Sequence, residues 1–333
     1  APVRQTVPFA IDRTPPEITA VACTASENTI TVSGTIRANI ADLHASPYRY
    51  TVDGVQSAWT ADASWTAGSL LPNTWHTVAF ETRDRLGNTA VQRRNICTKA
   101  QKPAISLDGS TETSMNLHIT DNNPAGTEYQ VKAGNQYADS SGALTGTPRW
   151  VAFTNKNITL SGMQPNTWYA VSVKARNADG AETDAAQVDH TTLAAAPAIT
   201  FPEVKQTHIK LAWSAVPGAT GYKIEADGVD KGTIAGTEYI HNGLSPETEH
   251  TYRIKVINPG GAGNWGGRFS KSTVPYPPGI PENVEAEETQ TAVTLTWDTV
   301  AKATGYEIEI DGGAVPASVG DVQTYVHAGL TPD

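Results

Sequence analysis

A short pattern recurs four times along the chain, an apolar residue, one variable residue, a proline and a turn-forming residue. It reads Leu70-Leu71-Pro72-Asn73-Thr74, Met163-Gln164-Pro165-Asn166-Thr167, Leu244-Ser245-Pro246-Glu247-Thr248 and Leu330-Thr331-Pro332-Asp333. A repeat at the spacing of a small domain dictates an array of similar units rather than one large core. After each of the first three copies comes a period-two run: Val78 and Phe80, then Val171, Val173 and Ala175, then Tyr252, Ile254 and Val256. That alternation is the signature of a strand with one buried face. The runs end in turn-rich segments, Asp84 to Asn88, Asn177 to Gly180 and Asn258 to Gly261, whose residues accept tight bends and positive φ.

A second pair of elements precedes the pattern. Ile209-Lys210-Leu211-Ala212-Trp213 leads to Gly221-Tyr222-Lys223-Ile224-Glu225, and Val293-Thr294-Leu295-Thr296-Trp297 leads to Gly305-Tyr306-Glu307-Ile308-Glu309. The step from Trp to Tyr is the same in both, so the two faces are expected to meet in equivalent cores, with Trp213 and Trp297 as buried anchors. The run Trp213, Tyr222, Leu244, Pro246, Tyr252, Asn258, echoed by Trp297, Tyr306, Leu330 and Pro332, resembles bacterial fibronectin type III and Ig-like tandem modules of large extracellular or cell-surface proteins. The resemblance is strong over 195–333, good over 101–193 and looser over 13–100. It implies an all-β fold, a tandem array of antiparallel seven-stranded sandwiches, with a Trp on the second strand and a tyrosine corner near the sixth. Tyr169 fills the corner position of the second module, whereas His76 and His250 stand there in the first and third. These are read as structural replacements, a metal or pH-switch role being the rival.

Pro-rich joins at Thr14-Pro15-Pro16, Lys102-Pro103, Ala194 to Pro197 and Pro275 to Pro278 divide the chain. The expected units are a closing strand of a preceding Ig-like module (1–12) and four modules at 13–100, 101–193, 194–275 and 276–333. The last is expected to lack its final two strands, either because the sequence is a segment of a longer protein or because neighbouring chains complete one another head to tail. The joins are short and rich in extended Pro geometry, which favours a semi-rigid rod.

Cys23 and Cys97, the only cysteines, bracket the first module. Each closes an apolar-alternating segment, and both segments end at the same pole of a sandwich, so a disulfide is expected, two buried free thiols being the alternative. The bridge would indicate an oxidising compartment.

The net charge of −10 argues against nucleic acid, which demands clustered Lys and Arg to displace counterions. No apolar run is long enough to span a bilayer and no export signal opens the sequence, so no membrane insertion is expected within this segment. No nucleophile with its base, carboxylate pair or metal-ligand spacing is present, and the eight histidines, among them His44, His118, His190, His208 and His241, are scattered singly. No catalytic residue, metal site or cofactor is therefore expected. Pro259 to Gly267 lacks the Lys-Ser/Thr pair of a phosphate loop and reads as an interstrand loop, with Trp265 folded back over the module end. Asp121-Asn122-Asn123 and Asp53-Gly54 read as turns rather than calcium ligands, and Asn157-Ile158-Thr159 is an isolated glycosylation triplet.

Trp59, Trp65 and Trp150 are surplus to the repeating core. They either cover the module ends or stack on carbohydrate. Three functions are compatible with these features: a non-catalytic spacer or adhesive stalk of a larger bacterial surface or secreted protein, a subunit segment of an extracellular fibre or surface layer, or carbohydrate-binding accessory modules of a polysaccharide-degrading enzyme. The expected partners are other modules of the same protein, identical neighbouring chains, or carbohydrate, outside the cell.

Overall fold

The computed structural model describes residues 12–37, 42–310 and 313–331. Within them every regular element is a strand, and all strand pairings are antiparallel. The expected closing strand of 1–12 falls outside the described residues apart from Asp12, and so do Pro332 and Asp333.

The alternating runs fold as the period predicts. The first sandwich comprises β1 (Glu17–Ala25), β2 (Ile30–Arg37), β3 (Leu43–Val52), β4 (Val55–Gln56), β5 (Ser64–Ala67), β6 (Trp75–Asp84) and β7 (Thr89–Cys97). Its sheets are β1-β2-β5 and β4-β3-β6-β7. The second holds β8 (Ala104–Ser110), β9 (Ser114–Thr120), β10 (Glu128–Ala133), β11 (Gln136–Ala138), β12 (Leu144–Thr145), β13 (Asn157–Ser161), β14 (Trp168–Arg176) and β15 (Ala186–Thr191). It keeps the same order, β13-β9-β8 against β12-β11-β10-β14-β15.

The third adds β16 (Ile199–Val204), β17 (His208–Trp213), β18 (Gly221–Ala226), β19 (Val229–Ile234), β20 (Glu238–Asn242), β21 (Glu249–Asn258), β22 (Gly261–Ala262) and β23 (Phe269–Ser272). In it β16-β17-β20 faces β19-β18-β21, with β22 and β23 both pairing β21. The remaining strands, β24 (Glu285–Glu288), β25 (Ala292–Thr296), β26 (Glu307–Ile310), β27 (Gly313–Ser318) and β28 (Thr324–Ala328), form β24-β25-β28 and β26-β27.

Three hydrophobic clusters fill the first three sandwiches and share no residue. Val32, Tyr50 and Phe80 lie in the first, Leu117, Tyr129 and Val173 in the second, and Leu211, Ile224 and Tyr252 in the third. Separate cores are the physical content of a tandem array.

The recurrent pattern has a specific task. Its apolar residue donates its amide to the turn before the second strand in all four copies: Leu70 to Asn28 O (3.0 Å), Met163 to Thr113 O (3.1 Å), Leu244 to Thr207 O (3.0 Å) and Leu330 to Thr291 O (3.0 Å). The residue after the proline is left-handed, with φ of 47° at Asn73, 50° at Asn166 and 57° at Glu247. A proline followed by positive φ suits a tight turn, and Asn tolerates that conformation better than Glu.

The Trp–Tyr step also behaves as expected. Trp213 and Tyr222 meet edge-on at 5.4 Å and 61°, and Trp297 and Tyr306 at 5.2 Å and 62°. The tyrosine hydroxyls accept from Val216 N at 2.7 Å and Val300 N at 2.9 Å. In the first sandwich Gly34 stands at the Trp position, and a Cβ there would lie 2.2 Å from the Phe80 ring. Phe80 occupies the indole's space there.

Candidate functional site

The turns that carry the pattern are also where consecutive sandwiches meet. At the first joint Asn73 Nδ2 donates to Thr127 Oγ1 (2.7 Å), Asn73 Oδ1 accepts from Ala178 N (2.8 Å) and Asn177 Nδ2 donates to Thr98 O (3.1 Å). At the second Asn166 Nδ2 donates to Pro217 O (2.6 Å), while Asn258 Nδ2 donates to Asn166 Oδ1 (3.0 Å) and Thr192 O (2.9 Å). Each pattern asparagine thus reaches two loops of the following sandwich, and each turn asparagine reaches back to the connecting chain. Asn177 and Asn258 are only 4% and 3% exposed, so their amides are satisfied by the joint rather than by water.

Two further devices stiffen the connections. Asn123 clasps Gln101 through both backbone groups, Gln101 N to Asn123 Oδ1 (2.7 Å) and Asn123 Nδ2 to Gln101 O (2.9 Å). The glycine-rich loop lies directly on the connecting chain: a Cβ on Gly260 would stand 1.9 Å from Thr191 O and one on Gly263 2.4 Å from Ala194 O. These glycines serve close backbone approach, not phosphate binding. The third joint differs, for among the described residues its one crossing polar contact is the Lys302–Glu247 ion pair. Both side chains are about half exposed, and exposed pairs contribute little.

Cys23 and Cys97 are free thiols, so the expected disulfide is not formed. The reason is a difference of face. Cys23 packs against the first core, whereas Cys97 pairs across the ladder with Trp75, an outward position, and its thiol approaches Asn73 Oδ1 at the joint (3.8 Å). Cross-strand partners share a face, which turns Cys97 away from the interior. Burial raises both thiol pKa values, and the cysteines carry no information about compartment.

The expected carbohydrate-contact indoles fall into two settings, neither an open platform. Trp59 lies beneath Arg49 and Arg83 (4.7 and 4.2 Å to the ring centre), and Trp150 beneath Arg176 (4.7 Å). The arginines are held by carboxylates across the same sheet, Arg49 by Glu81 and Arg176 by Glu128. Trp265 repeats the arrangement under Arg253 and Lys255 (4.8 and 4.7 Å), with Arg253 paired to Glu225. Trp65 stacks on Tyr50 against the first core. The open indoles are instead Trp75 (52% exposed) and Trp168 (60%), one step after the pattern threonine in consecutive sandwiches. Sequence reasoning passed over them because they open the core strands β6 and β14, although their equivalence was visible in Thr74-Trp75 and Thr167-Trp168.

Tyr169 makes the expected corner, its hydroxyl accepting from Gln164 N at 2.8 Å. The two histidine corners use a different partner. His76 Nδ1 meets Asp53 Oδ2 at 2.6 Å, and His250 Nδ1 meets Asp227 Oδ2 at 2.8 Å. Both aspartates have positive φ and also accept from a backbone amide, Thr77 N and Thr251 N, each at 2.8 Å. Burial acts to raise these carboxyl pKa values, but the histidine and amide hydrogen bonds prevail and hold Asp53 and Asp227 below the ordinary range. The dyads were not foreseen, since Asp and His are far apart in sequence. Asp121 is consumed by Lys156 (2.5 Å) and Tyr129 (2.9 Å), leaving no free carboxylate for calcium.

The family model described as "Fibronectin type III domain" matches residues 101–191. Chitinase 63 of Streptomyces plicatus is 31% identical over 86 residues, 25% of this chain and 14% of that protein. An alpha-amylase of Niallia circulans is 33% identical over 101 residues, 29% of this chain and 8% of that protein. Fibronectin type-III domain-containing protein 3a of Gallus gallus is 24% identical over 263 residues, 71% of this chain and 21% of that protein. The chain therefore spans between 8% and 21% of the length of these relatives.

Proposed function

From the premise that this chain is a tandem array of fibronectin type III sandwiches, residues 101–191 being the stretch that the family model matches, we propose that it is a non-catalytic spacer segment of a larger bacterial secreted or surface protein. The repeated asparagine joint carries this reading. A chain that merely linked independent binding units would have no use for buried amides bridging Asn73 to Asn177's turn and Asn166 to Asn258. Satisfied buried polar contacts fix orientation, and fixed orientation is what a spacer supplies. Small-angle scattering with light scattering tests it. The expected result is a monomer whose maximum dimension is the same at low and high salt; concentration-dependent growth would favour the fibre reading, and contraction with salt would count against a spacer.

A second reading makes the modules carbohydrate-contacting accessories of a polysaccharide-degrading enzyme. The open, equivalent Trp75 and Trp168 favour it, together with partial likeness to proteins named chitinase and alpha-amylase. Flat indoles suit the apolar face of a sugar ring. Pull-down on insoluble chitin and starch is expected to fall with Trp75→Ala and Trp168→Ala while Trp59→Ala, Trp65→Ala and Trp150→Ala leave it intact. Absence of wild-type binding would remove this reading and leave the spacer. Both readings place the chain outside the cell, where such polymers lie.

A further inference from the structure

The corner of the third sandwich differs from that of the first by one residue that alters its chemistry. On β20 His241 pairs with Ile209, the inward position that Ala67 holds opposite Ile30 and Leu160 opposite Met115. An imidazole therefore stands where the first two sandwiches keep an apolar side chain; His327 opposite Val293 holds the equivalent place in the last. It is brought against the corner dyad, its ring 5.6 Å from that of His250. One donor atom from each of Asp227, His241 and His250 lies within 4.8 Å of the other two.

Each of the three is held by its remaining polar atom. Asp227 Oδ1 accepts from Thr251 N (2.8 Å), which leaves Oδ2 turned to the histidines. His250 Nε2 bonds Thr248 Oγ1 (2.9 Å), which commits Nδ1 to the cluster. His241 Nδ1 bonds Tyr252 OH (3.1 Å), which leaves Nε2 as its free nitrogen. Metal-binding imidazoles are ordinarily oriented in this way by a bond to the second ring nitrogen. Burial, followed by the charge of Lys231, lowers the His241 pKa. The site is half open, with both histidines partly buried and Asp227 exposed, so an ion has access.

We propose that Asp227, His241 and His250 form a binding site for a divalent transition-metal cation of the zinc class, with water completing the coordination. Two imidazoles and a carboxylate are a donor set suited to such ions. An ion bonded to each at about 2.0–2.2 Å needs donors roughly 3.4 Å apart in tetrahedral geometry, so the Asp227–His250 bond opens by a fraction of an ångström and His241 swings inward. Because the ligands come from the turn after β18, from β20 and from β21, the ion would cross-link the two sheets of the sandwich. The first sandwich is an internal control, since Asp53 and His76 reproduce the dyad while Ala67 replaces the third ligand.

Titration of the full chain with Zn2+ by calorimetry, and with Co2+ by visible absorption, tests the proposal. One equivalent is expected, with the intense Co2+ bands of a four-coordinate ion. His241→Ala, which copies the residue of the first sandwich, is expected to weaken binding at least 100-fold, and Thr248→Val about 10-fold through loss of the orienting bond. His76→Ala should change nothing. His250→Tyr restores the corner residue of the second sandwich and removes a ligand, so it keeps the test valid should His241→Ala fold poorly. No stoichiometric binding by the wild type, or binding that survives both His241→Ala and His250→Tyr, would overturn the site.

Discussion

At the residue scale the joint asparagines and the corner dyads carry the largest consequences. Asn258 donates both amide hydrogens across the second joint from a buried position. Removing the side chain strands Asn166 Oδ1 and Thr192 O, and unsatisfied buried groups cost on the order of 1–3 kcal/mol. Asn258→Ala is therefore expected to lower the unfolding free energy of the third sandwich by about that amount in urea titration. A change below a few tenths would mean that water already serves these groups. The Asp53–His76 dyad predicts a pH dependence. Asp53 is depressed in the folded chain, so its contribution is present above its unfolded value near 4 and is lost as pH falls through the folded value. Asp53→Asn should flatten the acid limb of the stability profile, measured by thermal unfolding between about pH 2 and 5; an unchanged limb would show that the dyad contributes nothing. Asp53 is close to half exposed, so the effect is modest.

At the element scale the strands were legible and the loops were not. The period-two runs after each Leu-x-Pro pattern became β6, β14 and β21, and the Trp–Tyr step became two edge-on contacts of nearly equal geometry. These follow from which residues must face a core. The disulfide failed because period alone does not say which sheet face a terminal cysteine takes, and Cys97 shares its face with Trp75. The buried threonines were missed as well. Thr98, Thr192 and Thr273 each close the last strand onto the pattern turn through Oγ1, at 2.7, 2.7 and 2.6 Å from Leu71 O, Gln164 O and Ser245 O. A threonine among many gives no periodic signal, although the spacing of these three from the pattern is nearly constant. The glycine-rich loop gives a prediction at this scale. Gly260→Ala would push a methyl into the Thr191 carbonyl, so faster amide exchange is expected along 191–196 and the loop, while the core strand β21 keeps its protection. Unchanged exchange would show that the loop withdraws without cost.

At the scale of the whole molecule the joints decide behaviour. The first two are built from buried amides and close glycine packing, while among the described residues the third has one crossing polar contact, an exposed ion pair. The prolines led to an expectation of joins along the chain, but not that the same asparagine would both turn the chain and grip the next sandwich. The account's central claim is that the first three sandwiches hold fixed mutual orientations. Residual dipolar couplings of the perdeuterated chain in a dilute aligning medium measure this directly. A single alignment tensor is expected to fit the strands of the first three sandwiches, with β24–β28 requiring a weaker tensor of their own. Separate tensors of unequal magnitude within the first three would contradict it, because they report sandwiches that reorient independently despite the asparagines between them.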